Sequence, residues 1–299
     1  MKDDVIIGVQ YFRPVAAIAP YVTSLYCFTI TAPPGETVAD CLHPEWASLR
    51  FMASGELVRA KLAGKAPRVC WPFSGVGPTS KCVHVEIGTS QLWGFGLRPL
   101  GWASCMEEPA AKFTDRIFDG DQCDSFDRFA PIMQIVQSFG GNRAGCAQAI
   151  QTYLANLNWQ PPADADRILA CHNALQEAEI ATVAALCERV DVSRRTLERL
   201  CARYFGYSPK QLLRRQRFLR SLARYTLERH GNWSTSLDSQ YFDQAHFVKD
   251  FRSFMGMTPS EYAALEHPIL DRIIGQRLAD LDVGTVGQVA GIKRCGGRR

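Results

Sequence analysis

The sequence predicts an α+β chain, with a β-rich N-terminal domain followed by an all-α C-terminal domain that contains two helix-turn-helix units. Three observations carry this reading. Residues 1–130 alternate apolar, β-branched runs with Pro/Gly punctuation, the pattern of short strands joined by turns. Residues 193–209 recur fifty positions later as 243–259, so one supersecondary unit is built twice. Helix-capping and helix-stopping residues stand at the edges of both copies. A chain of 299 residues is long enough for two cores. With 46% hydrophobic and 21% charged residues, neither a fibrous nor a disordered chain is indicated. No apolar run approaches the roughly 20 residues that span a bilayer, and Met1-Lys2-Asp3-Asp4 is not the start of a secretory signal. The expected location is cytoplasmic.

The strands are read in order at Tyr21-Val-Thr-Ser-Leu-Tyr-Cys-Phe-Thr-Ile30, Ser48-Leu-Arg-Phe-Met52, Cys82-Val-His-Val-Glu-Ile87 and Leu92-Trp-Gly-Phe-Gly-Leu97. Trp46, Phe51, Trp71, Phe73, Trp93, Phe95 and Trp102 read as core, although a small-molecule pocket would draw on the same residues. His43-Pro-Glu45 and His84-Val-Glu86 each set a histidine and a carboxylate two residues apart, on one face if the backbone is extended. They are taken as solvent-facing polar pairs, with no metal. The chain has neither a Gly-x-Ser-x-Gly elbow nor a phosphate-binding glycine loop, so no enzyme and no cofactor are expected.

Residues 131–163 read as a helical connector and linker. Ile132, Ile135, Val136 and Phe139 fall at helical spacing, Gly140-Gly141 interrupts, and a second helix runs from Gln148 to Leu157. These helices suit a dimer seam or core packing equally. Pro161-Pro162 marks the boundary of a third segment, residues 164–266.

Within that segment, Ile180 to Val190 forms a short helix with Val183, Leu186 and Val190 on one side. Asp191-Val192 leaves room only for a tight turn. Ser193 then caps a second helix, as Asp243 does in the later copy, each offering an oxygen to unpaired amide hydrogens. Leu197, Leu200, Cys201 and Phe205 make one buried stripe, and Phe247, Phe251 and Phe254 make the other. Gly206 and Gly256 stop the helices, since glycine takes the left-handed conformation cheaply. Ser208-Pro209-Lys210-Gln211 and Thr258-Pro259-Ser260-Glu261 read as capping boxes that open the next helices. Helix, tight turn and capped helix is the plan in which the second helix enters a DNA major groove. Opposite the stripe lie Arg194, Arg195, Glu198, Arg199 and Arg203.

A helix from Pro209 to Leu227 joins the two units. Its Arg214, Arg215, Arg217, Arg220 and Arg224 can reach phosphates or acidic neighbours. About 18 helical residues span roughly 27 Å, which suits two reading heads about one DNA turn apart. Charge is concentrated here: residues 189–229 carry a net +9 and residues 1–130 a net −2, and such a basic block is a footprint for phosphate. The 11 cysteines, from Cys27 to Cys295, include no Cys-x-x-Cys pair, so reduced, mostly buried thiols are expected. Residues 267–299 are read as a short helix, Ile269 to Leu281, and a basic flexible tail.

Over about residues 166–264 the chain resembles the AraC/XylS family of bacterial transcription regulators. The resemblance rests on Val192-Ser-Arg-Arg-Thr-Leu-Glu-Arg-Leu200, Phe205-Gly-Tyr-Ser-Pro209, Tyr241-Phe-Asp-Gln-Ala-His-Phe-Val-Lys-Asp-Phe251 and Gly256-Met-Thr-Pro-Ser-Glu-Tyr262. It implies seven helices carrying two helix-turn-helix units. DNA would be met by Ser193, Arg194, Arg195, Glu198, Arg199 and Arg203 in the first unit, and by Gln244, Ala245, His246 and Lys249 in the second. Leu92 to Trp102 followed by Lys112-Phe-Thr-Asp-Arg116 resembles the cupin-like sensor domain of such regulators. Implied partners are double-stranded promoter DNA, RNA polymerase, a small-molecule effector and a second copy of the chain. The alternatives are a helical protein-interaction module, or a DNA-repair-associated protein whose activity lies in the N-terminal domain. The sequence departs from the family pattern at Ser236, in place of an aliphatic core residue, and at Gln240, in place of a turn glycine. Residues 233–262 also carry a net −2. The first unit is therefore expected to dominate affinity. Titrating a labelled specific duplex should show Arg199→Ala weakening binding by about 1–3 kcal/mol and Lys249→Ala by less; equal losses would contradict the assignment.

Overall fold

A computed structural model describes residues 5–55, 58–62, 64–227 and 233–282. The N-terminal strands are β1 (Ile6–Phe12), β2 (Leu25–Thr31), β3 (Val38–Leu42), β4 (Ser48–Gly55), β5 (Val58–Leu62), β6 (Arg68–Val69), β7 (Phe73–Val76), β8 (Val83–Ile87), β9 (Ser90–Gly96) and β10 (Ile117–Asp119). Among the described residues they form a six-stranded sheet in the order β1-β2-β9-β4-β7-β10 and a four-stranded sheet in the order β3-β8-β5-β6. Every neighbouring pair is antiparallel.

Both faces of the larger sheet are covered. Phe28 and Ile30 pack with Val58, Leu62, Val83, Val85 and Ile87 of the smaller sheet. Residues of the opposite parity, among them Leu49, Phe51, Trp93 and Phe95, pack with Trp102, Phe126 and Phe129. Phe51 stacks on Phe73 with ring centroids 4.7 Å apart. Phe51, Phe73, Trp93, Phe95 and Trp102 are therefore core, whereas Trp71 is only half-buried. Trp46 is half-buried too, at the contact with the C-terminal domain, where Phe205 meets it edge-on at 5.8 Å.

Helix α1 (Pro99–Cys105) lies between β9 and β10, and α2 (Pro131–Ser138) and α3 (Arg143–Asn156) follow the last strand. Asn142 caps α3 by accepting from the Gly145 amide. Ile132, Val136, Cys146, Ile150 and Leu154 are buried in the same cluster as Phe51 and Phe95. The connector helices thus cover the outer face of the larger sheet.

The C-terminal helices are α4 (Ala165–Ala174), α5 (Val183–Val190), α6 (Arg194–Leu200), α7 (Pro209–Leu227), α8 (Trp233–Ser236), α9 (Gln244–Met255), α10 (Pro259–Ala263) and α11 (Pro268–Asp282). The last of these returns to the N-terminal domain. Its first amides, Ile269 and Leu270, donate to Asp40 Oδ2 of β3 at 2.8 Å each, so a distant strand supplies the helix cap. His267 Nδ1 lies 3.1 Å from the other Asp40 oxygen, and Ile269 enters the core between the sheets. The basic tail foreseen after this helix lies outside the described residues. Among the described residues no helix is long and apolar enough to cross a membrane.

The two halves are joined by a built seam. Arg215 of α7 is 1% exposed. Its guanidinium lies 4.0 Å from the Trp46 ring centroid and donates to the carbonyls of Thr79, at 3.0 Å, and Glu45, at 3.4 Å. Burial pulls its pKa down to about 10, still charged at neutral pH. Tyr207 donates to the Pro78 carbonyl at 2.7 Å. Gly206 takes φ +85° and sits so close to the loop before β10 that a Cβ would lie 2.6 Å from Thr114. It stops the helix, as expected, and also permits the two halves to touch. Arg215→Ala leaves the Thr79 carbonyl without its Arg215 donor and a void under Trp46. It should lower stability by about 3 kcal/mol, read by urea or thermal unfolding of the whole chain.

Candidate nucleic-acid interface

In the first unit each local element has an identifiable cause. Thr182 caps α5 by accepting from the Ala185 amide at 3.1 Å. Asp191 ends it in the left-handed conformation at φ 53°, a region that a non-glycine residue visits only in such tight turns. Ser193 accepts from the Thr196 amide at 3.3 Å and so begins α6. Leu197 and Leu200 are buried. Arg194, Arg195, Glu198, Arg199 and, in the turn after α6, Arg203 are exposed. That turn, Cys201–Phe205, is wound as π-helix, with the Gly206 amide donating to the Cys201 carbonyl at 2.9 Å. Arg194 and Glu198 pair at 3.1 Å across one helical turn, an exposed contact of small worth. The exposed face of α6 is therefore a cationic surface with one acidic acceptor.

The second unit has the same plan and different chemistry. Trp233 of α8 stacks on Tyr225 of α7 with ring centroids 3.5 Å apart. Asp243 accepts from the His246 amide at 2.7 Å and starts α9, which buries Phe247, Phe251 and Phe254. Gln244, Ala245 and Lys249 are exposed. His246 is half-buried, with its Nε2 3.1 Å from Arg217 and its ring edge-on to Tyr241, so it braces α9 against α7. Phe242, just before the cap, is 93% exposed, and the sequence reading had not singled it out.

The arginines of α7 point inward. Arg214 and Arg217 both reach Asp250 of α9, at 2.5 and 2.8 Å, and Tyr241 donates to the same carboxylate at 3.2 Å. Burial opposes the charge on Asp250, but the two arginines hold its carboxyl below the usual range. Arg220 pairs with buried Asp238 at 2.6 Å, and Arg224 donates to the Leu237 carbonyl at 3.1 Å. Of the two roles open to these side chains in sequence, acidic neighbours account for the contacts of Arg214, Arg217 and Arg220, while Arg215 and Arg224 bond backbone carbonyls. Sequence reasoning passed over Asp238 and Asp250 as partners. The available signal was the spacing of Arg214, Arg217, Arg220 and Arg224, which steps by three and four along one helix face.

Of the two departures from the family pattern, Gln240 joins this network, its side-chain oxygen accepting from Arg220 at 3.5 Å. Ser236 is fully buried. Gln240 keeps a negative φ, since among the described residues only Asp115 and Asp191 are non-glycine positions with positive φ. A glycine is not needed there. The Gln240 amide donates to Asp238 Oδ1 at 3.0 Å, and its side chain bonds the Ala178 carbonyl near the first unit.

The polar pairs of the N-terminal domain are a correction. His43 bonds the Tyr262 hydroxyl of α10 at 2.9 Å, Glu45 pairs with Arg50 at 2.6 Å, and His84 turns to Cys82, 3.4 Å away. Only exposed Glu86 faces solvent as expected, beside Arg59. Register on a strand fixes the face of the sheet but not what packs on it.

Residues 186–264 match a protein family described as "Helix-turn-helix domain". Comparison with curated proteins gives no match. Among solved structures, ToxT from Vibrio cholerae O395 is 11% identical at TM-score 0.40, over 88% of this chain and 98% of that one. An unsaturated-fatty-acid-bound ToxT from V. cholerae strain SCE256 is 9% identical at TM-score 0.36, over 88% and 95%. The AraC-like transcriptional activator CuxR is 13% identical at TM-score 0.25, over 73% and 87%. Likeness this remote transfers no residue roles.

Asp250→Ala removes the acceptor shared by two arginines and leaves their charges under-paired against a buried helix. It should cost about 3 kcal/mol of stability. Glu198→Ala, which removes an exposed pair, should cost under about 0.5 kcal/mol. Denaturant unfolding without DNA separates the two.

Proposed function

We propose that the chain is a DNA-binding transcription regulator of the AraC type, a reading supported by the helix-turn-helix match over residues 186–264, and that it reads a two-part site unequally. Helix α6 is the principal reading helix and α9 the lesser one. The observation that carries this is the contrast in where the arginines point. Arg194, Arg195, Arg199 and Arg203 stand exposed on and just after α6, whereas Arg214, Arg217 and Arg220 are spent on internal carboxylates. Arg195 and Arg199 suit paired hydrogen bonds to guanine. Arg194 and Arg203 suit phosphates, with Ser193 at the helix start. Glu198 can accept from cytosine once Arg194 turns to phosphate. On α9, Gln244 suits adenine, Ala245 a thymine methyl and Lys249 a phosphate or guanine.

The N-terminal domain is proposed to set how the two reading helices sit, under control of a small molecule or a second copy of the chain. Support comes from the seam. The end of the first unit rests on Pro78 and Thr114 through Tyr207 and Gly206. The end of α9 meets the loop before β8, where the Cys82 amide donates to the Phe254 carbonyl at 2.8 Å. A shift in the sandwich is therefore felt by both units, and its output would be read by RNA polymerase at the promoter.

Selection from a random duplex pool should return one enriched site whose stronger half is lost in Arg199→Ala. Each of Arg194→Ala and Arg203→Ala should lower the slope of log affinity against log salt by about one, whereas Arg195→Ala should chiefly relax the base preference at its position. Sequence-blind binding with unchanged slopes would overturn the assignment.

A further inference from the structure

We propose that Cys41, Cys82 and His84 form a binding site for a thiophilic metal ion of the Zn²⁺ or Cu⁺ class, set into the seam between the sandwich and the second helix-turn-helix unit. The three come together through sheet register. Cys41 of β3 stands opposite His84 of β8, and Cys82 lies two residues before His84, on the same side of the extended chain. Their two sulfurs and one ring nitrogen all lie within 4.8 Å of one another, with Cys82 Sγ and His84 Nε2 at 3.4 Å.

That geometry suits an ion. Zinc bonds of about 2.3 Å to sulfur and about 2.0 Å to nitrogen, at tetrahedral angles, require ligand atoms roughly 3.5–3.8 Å apart. Small rotations about the side chains reach this. Two sulfurs and an imidazole are the donor set that soft and borderline ions prefer over calcium or magnesium. Both cysteines are buried, whereas His84 is only half-buried. The sulfur side is thus closed, and the histidine side can admit the ion and a fourth ligand such as water. Binding of Zn²⁺ would release two thiol protons to solvent and form two Zn–S bonds and one Zn–N bond, leaving the site neutral.

The position gives the site a consequence. Lys81 bonds the Ser253 carbonyl, the Cys82 amide donates to the Phe254 carbonyl, and the Cys82 thiol donates to the Met255 carbonyl at 3.0 Å. These three successive carbonyls end α9 and have no partner of their own within the helix. A metal-bound thiolate has no proton to donate, so the ion exchanges one of these caps for a metal–sulfur bond. Metal occupancy is thereby linked to the seating of the second reading helix.

The test uses the full chain, stripped with chelator and kept under a thiol-free reductant that prevents a Cys41–Cys82 disulfide. Co²⁺ serves as the spectroscopic probe, and Zn²⁺ and Cu⁺ are titrated in competition with chromogenic chelators. The expected result is about one ion per chain, with thiolate-to-cobalt charge transfer and the intense visible bands of a tetrahedral site. This signal should be lost in the Cys41→Ser/Cys82→Ser double variant. His84→Ala, a half-exposed change that spares the core, should weaken binding at least tenfold while leaving the circular dichroism unchanged. Whichever of Zn²⁺ and Cu⁺ competes better identifies the ion. Stoichiometry unchanged in the double variant and in His84→Ala, or a cobalt spectrum without a thiolate band, would overturn the proposal. None of these readouts requires DNA.

Discussion

The arginine-lined inner face of α7 is the constraint on which the C-terminal half depends. A carboxylate taken out of water must be neutralised and hydrogen-bonded, and Asp250 and Asp238 meet that requirement only if α9 and the segment after α8 lie where Arg214, Arg217 and Arg220 can reach them. The apolar stripe of Phe247, Phe251 and Phe254 gives α9 its adhesion. The ion network gives it a register, because only one rotation of the helix brings Asp250 onto two guanidinium groups. The long helix is thus a jig that holds the second unit, and Arg194, Arg195, Arg199 and Arg203 are left exposed on and just after α6.

Arg215 applies the same logic across the domain boundary. It emerges from the other side of α7, and its Nη1 donates to the carbonyls of Glu45 and Thr79 while its guanidinium lies over the Trp46 ring. Around it, Gly206 allows backbone to approach backbone, and Asp40 caps a helix that begins more than two hundred residues later. The reading helices therefore do not hang from a flexible tether; their ends are seated on the sandwich. Rearrangement of that domain has a direct physical route to α6 and α9.

Much of the C-terminal architecture could be read from the chain, because helix caps, stops and apolar stripes are local and fall within a few residues. Ser193, Asp243, Gly206, Gly256 and the Thr258 box all do in space what their spacing implied. The buried aromatics Phe51, Phe73, Phe95, Trp93 and Trp102 were equally legible, since no other environment absorbs so much apolar area. The candidate site was legible in part. The exposed cations of α6 followed from helical periodicity, but the inward turn of His246 did not, because its partner Arg217 lies on another helix.

The sequence by itself determined the two kinds of domain, the doubled unit and the cationic face of α6, all of which rest on short-range periodicity and on the conformational preferences of single residues. Tertiary structure decided which charges are available. A net positive block says nothing about where guanidinium groups point, and in this one Arg214, Arg217 and Arg220 are taken up by the internal carboxylates of Asp238 and Asp250. It also decided which cysteines meet: Cys41 and Cys82 are brought beside His84 by strand pairing between distant segments. Contacts of that range depend on register between elements, and register is fixed only when the whole core packs.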